Sequence, residues 1–134
     1  MTRPRPLAAI LAIGLLEVIA LGCLSFTGLV VALGAPLGDG DPAGLPVVLT
    51  SGLLALIGVL AVLAGIGLWR GAAAGWALGL AVGASGALGI LTALVAIGGD
   101  APLLVALALF AALLALLATP SVRRHAGLTG PTAR

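Results

Sequence analysis

The chain has 134 residues, 62% of them hydrophobic and 7% charged, with a mean hydropathy of +1.35. A water-soluble domain carries about a quarter of its residues as charges, so this composition excludes one and points to membrane spans. The formal charge of +2 comes from six arginines against four acids; these arginines sit in three short segments, not on one soluble face, which argues against a nucleic-acid partner.

Met1 to Pro6 is a short polar tail with Arg3 and Arg5, kept out of helix by its prolines. The first apolar run covers 7–33 and stops at Gly34-Ala35-Pro36. At 1.5 Å per residue it would reach roughly 40 Å, longer than a bilayer core, so a tilted helix is expected. It is too long for the core of a signal peptide and contains a glutamate, so it reads as a retained span. Ala20-Leu21-Gly22-Cys23 resembles a lipoprotein box, yet more membrane-like sequence follows, and Cys23 reads as a small packing residue. A turn-rich loop with Asp39 and Asp41 follows the first run. The second run covers 47–69 and the third 72–97, ending at Gly98-Gly99. Asp100 is placed to cap a fourth helix over 101–118, with Pro102 in its first turn. Residues 121–134 read as a mobile basic tail holding His125, which is expected to be solvated.

Charge selects the number of spans. With four, Arg3, Arg5, Arg70, Arg123, Arg124 and Arg134 share one side and Asp39, Asp41 and Asp100 the other. Three spans would scatter the arginines. Because arginine is retained in the cytoplasm, both termini are expected inside. The expected fold is therefore all-α: a four-helix transmembrane bundle in one membrane domain. The bias toward Ala, Gly, Leu and Val, without Lys, Asn, Gln or Tyr, suits a GC-rich bacterial genome and hence the bacterial cytoplasmic membrane.

Trp69, Arg70 and Trp76 surround the turn between the second and third spans and are expected to anchor it at the interface. From there Gly71, Gly75, Gly79 and Gly83, then Ala87, recur every four residues. Such a ladder forms a groove in which another helix backbone can lie close. Gly58, Ala61 and Gly65 form a smaller counterpart in the second span. The fourth span has no glycine, and reads as lipid-facing packing.

Glu17 stands apart. It lies ten residues after Leu7, about 15 Å along the helix and near the bilayer midplane. A charge there costs on the order of 3 kcal/mol by insertion scales, and such residues usually mark a site. Hydrocarbon favours the neutral carboxyl, making Glu17 a candidate proton carrier. Gly14, Glu17, Leu21, Ser25 and Gly28 follow helical spacing, and this stripe is expected to face inward. Intramembrane Arg, Lys or His is absent, so a hydroxyl or backbone carbonyl is the expected hydrogen-bond partner.

Ala9 to Gly28, with Glu17-Val18-Ile19 at its core and Phe26 beyond, resembles the first helix of the small multidrug resistance transporters. That resemblance implies a four-helix protein in which Glu17 binds protons and lipophilic cations alternately in an antiparallel dimer. The sequence departs from the family in lacking a lysine near Ser25, any tyrosine, and the expected tryptophan context. The overall layout resembles small uncharacterised four-helix integral membrane proteins of actinobacteria. The residues carrying that resemblance are Leu68-Trp69-Arg70-Gly71 after the second span and Thr119-Pro120-Ser121-Val122-Arg123 after the fourth. It implies no known activity.

Enzymatic chemistry finds little footing. Ser25, Ser51 and Ser85 have no histidine at their depth, and two loop aspartates make a poor cation site. The glycines fall within apolar helix, so they form no phosphate loop. The expectation is a non-enzymatic packing or accessory protein without catalytic, metal or cofactor site. Its partners would be the lipid bilayer and either further copies of itself or another membrane protein. The alternative is a proton-coupled exporter of lipophilic cations using Glu17.

Overall fold

A computed structural model describes residues 5–32, 44–97 and 100–128. Arg3, Asp39, Asp41 and Arg134 lie outside this set, as does the Gly98-Gly99 stop. Four long helices, α1 (Leu7–Ala32), α2 (Gly44–Trp69), α3 (Ala73–Ile97) and α4 (Ala101–Ala118), are followed by a short α5 (Pro120–His125). Each of the four is long and apolar enough to cross a membrane. Helix is the form hydrocarbon demands, because it closes every backbone hydrogen bond within the segment. The chain is thus all-helical among its described residues and built as a multi-pass membrane protein.

The turn at residues 70–72 reverses the chain between α2 and α3. Gly71 N–H bonds the Leu68 carbonyl at 3.0 Å and Ala72 N–H the Gly67 carbonyl at 2.9 Å. With Gly71 at φ +70°, this is a Schellman closure, which needs a left-handed residue one step past the cap. Gly127, at φ +73°, ends α5 in the same way: its N–H meets the Arg124 carbonyl at 3.1 Å, and Leu128 N–H meets Arg123 at 3.0 Å.

Each long helix packs on the one before it, and α4 returns to α1. The core is aliphatic, with Leu16, Leu68, Val82, Leu113 and Leu117 almost fully buried. At α4, Asp100 occupies the N-cap with Pro102 behind it, but its side chain makes no capping bond. Its backbone carbonyl instead accepts from Leu103 at 3.0 Å and Leu104 at 3.2 Å.

The segment expected as a mobile tail from Ser121 contains α5 instead. Val122 is fully buried and Ala126 nearly so, and the helix touches α1 and α4. The sequence carries the signals for it: proline at the first helical position, three basic residues in the last turn, and glycine after the end. Brevity hid them, since six residues show no readable apolar period.

Candidate functional site

The small residues of α3 face other parts of this chain. A Cβ on Gly79 would stand 3.1 Å from Leu117, and one on Gly83 would press on Leu114. At Gly75 it would run into the backbone of Gly67 and Leu68 in α2. Ala87 is half-buried against the core, whereas Gly71 belongs to the turn, not to the helical groove. So α4 fills this groove with Leu113, Leu114 and Leu117, and only its remaining faces are open to lipid. Gly86, outside the four-residue series, meets the Phe110 ring most tightly.

In α2, Gly58 accommodates Leu24 and Cys23 of α1, and Ala61 is fully buried. A Cβ at Gly65 would meet nothing within 4 Å. Its neighbour Gly67 makes the close approach instead, since a Cβ there would lie 3.0 Å from the Gly75 nitrogen. The sequence signal was present in Gly67 and Gly75 flanking one tight turn, but spacing within a single helix does not reveal a contact across two.

One end of the bundle gathers the described basic residues. The Arg5 guanidinium lies 3.7 Å over the Trp69 ring, a cation–π pair that places the start of α1 beside the end of α2. Trp69, Arg70, Arg123 and Arg124 are exposed there. Trp76, expected as an interface anchor, donates its indole N–H to the Leu117 carbonyl at 2.9 Å, satisfying one of the acceptors that the end of α4 leaves open. His125, expected to be solvated, is half-buried, with Nε2 3.0 Å from the Leu68 carbonyl. A carbonyl only accepts, so that nitrogen carries the proton. Asp100 lies at the opposite end, where α4 begins.

Glu17 is placed differently from the expectation. The buried side of α1 is formed by Ala9, Ala12, Ile13, Leu16, Ile19 and Ala20. Gly14, Glu17, Leu21, Ser25 and Gly28 all lie on its exposed side. The stripe expected to point inward therefore points out of the four-helix unit. The physical reason is packing. Alanines at three- and eight-residue intervals let neighbouring helices approach while Leu16 and Ile13 fill the remaining volume.

The hydroxyls do not reach the carboxyl. Thr27 donates to the Cys23 carbonyl at 2.9 Å and lies 3.2 Å from the Ser51 carbonyl of α2. Ser51, Ser85 and Thr92 each bond a carbonyl of their own helix. Among the described residues no side-chain hydrogen bond or ion pair involves Glu17. Arg5 is twelve residues away, about 18 Å along the axis and far beyond pairing reach. No group of three His, Cys, Asp or Glu that could hold a metal occurs among the described residues. Cys23 is half-buried and packs at the edge of the core.

Comparisons with protein-family models, curated proteins and solved structures find no match. The candidate site is thus one carboxyl near the middle of α1 on the outer surface of the bundle, with glycines and exposed aliphatic side chains around it.

Proposed function

We propose that this chain is a non-enzymatic packing or accessory protein of a bacterial cytoplasmic membrane, working through the outer face of α1. Glu17 on the outside of the four-helix unit carries the reading. A group meant for chemistry within the bundle would face its interior, and that interior is filled by aliphatic side chains. An exposed carboxyl at mid-depth can gain only from what lies beside the bundle. Orientation with both termini in the cytoplasm is supported by Arg5, Arg70, Arg123 and Arg124 at one end and Asp100 at the other. The resemblance of its layout to small actinobacterial four-helix membrane proteins supports the same reading.

The alternative, an exporter that exchanges protons for lipophilic cations at Glu17, draws on the same carboxyl, which has no partner among the described residues. The two are separated by proton release from purified protein in lipid vesicles when a hydrophobic cation is added. An accessory protein releases no protons, and Glu17→Gln behaves as the parent does. Release that disappears in Glu17→Gln would overturn the accessory reading in favour of exchange.

A further inference from the structure

Hydrocarbon offers Glu17 neither donor nor acceptor, and burying an unsatisfied polar group costs on the order of a few kcal/mol. We propose that α1 packs against α1 of a second copy, side by side in the same orientation, with the two Glu17 carboxyls hydrogen-bonded to each other. This rests on the membrane reading and orientation given above.

Three features select a second copy as the occupant. The first is polar complementarity. A neutral carboxyl has one O–H donor and a carbonyl acceptor, so two related by a two-fold axis satisfy one another reciprocally. An isologous contact sets each residue near the axis against its own counterpart, which a lone carboxyl requires if its partner is to be equally polar. The second copy brings no cation to this depth, because all six arginines lie outside the spans; the partner of the carboxyl is the other carboxyl.

The second feature is room. A Cβ at Gly14 or Gly28 would meet nothing within 4 Å, and Ser25 is small and exposed. Gly14 before Glu17, and Ser25 and Gly28 beyond Leu21, put small residues on the same stripe, which lets two backbones approach closely. Val18 and Leu21, 57% and 70% exposed, flank it and supply side chains to interdigitate. Gly52 and Gly89 are equally open, but no carboxyl lies beside them. The α3 groove is already filled by α4 and α2.

The third feature is charge asymmetry. With the described arginines at one end and Asp100 at the other, copies inserted by the same rule share one orientation. Their Glu17 residues then lie at the same depth, and so do Gly14 and Leu21.

Disulfide trapping in native membranes tests this. In a Cys23→Ala background, Gly14→Cys, Leu21→Cys and Val95→Cys would be oxidised singly, and Gly14→Cys together with Leu21→Cys on separate chains. A disulfide forms only with Cα atoms within about 7 Å. The expected result is self-linking at position 14 or 21, with Val95→Cys on α3, 89% exposed, remaining monomeric. Adding Glu17→Leu lowers self-linking about tenfold, the scale of two interhelical hydrogen bonds in a membrane. Glu17→Gln, which keeps a donor and an acceptor, retains it.

The proposal is overturned by monomers at both positions, by equal linking at Val95, or by Glu17→Leu linking as strongly as the parent. Links only between a Gly14→Cys chain and a Leu21→Cys chain would mean opposed copies and would overturn it too. None of these outcomes alters the proton-release result, so failure of the dimer and failure of the accessory reading remain distinct.

Discussion

Adding one methyl group at Gly75 tests how the bundle is closed. A Cβ there would collide with backbone atoms, not with a movable side chain: the Gly67 carbonyl carbon, the Leu68 nitrogen and, at 2.6 Å, the Gly67 Cα. Ordinary contact begins at 3.4 Å and the other two atoms lie closer still than the Gly67 Cα, so Gly75→Ala forces α2 and α3 apart by about 1 Å, enough to forfeit a quarter to a half of each neighbouring contact's dispersion energy. Overpacking of this kind costs about 1–3 kcal/mol, and the absence of any yielding side chain argues for the upper end. Better helix propensity returns at most about 1 kcal/mol, leaving a net loss of about 2 kcal/mol. Gly89→Ala is the matched control in the same helix, since its Cβ meets nothing within 4 Å; it should be neutral or slightly stabilising. Denaturant titration in mixed micelles, followed by tryptophan fluorescence, gives the difference between the two variants. Equal stability would refute the argument that the Gly67–Gly75 approach sets the α2–α3 distance.

Trp76→Phe keeps the ring but removes the donor to the Leu117 carbonyl, and should cost about 1 kcal/mol in the same titration; an unchanged midpoint would show that this bond carries no weight. Gly71→Ala places an L side chain at φ +70°, with its Cβ 3.0 Å from the His125 carbonyl. A cost of about 1–2 kcal/mol is expected from the backbone alone, together with faster amide exchange over residues 122–126 as α5 loosens. Exchange rates equal to those of the parent would refute the coupling between this turn and α5.

Most of the fold was legible because its signals are local. Runs of apolar residues, Pro102 at the start of α4 and the position of the arginines each act within one helix or one turn. They determine four long apolar helices and which ends lie together. Directions across helices are not local. Gly14, Glu17, Leu21, Ser25 and Gly28 form one stripe in any helix, but so do Ala9, Ala12, Leu16 and Ala20. In a helix that is apolar all round, composition cannot say which stripe its neighbours cover. Packing decided it: the alanine face takes α2 and α4 and leaves Glu17 outside. The glycines follow the same rule. Spacing marked Gly75, Gly79 and Gly83 as small enough for close contact, while only the arrangement of α2 and α4 showed that the occupants belong to the same chain and that Gly67 and Gly86 join them. The sequence by itself determined that there are four long apolar helices, roughly where they turn, and that the carboxyl falls near the middle of the first. Only the tertiary structure decided which way that carboxyl points, because a side chain's direction is fixed by the helices that crowd it.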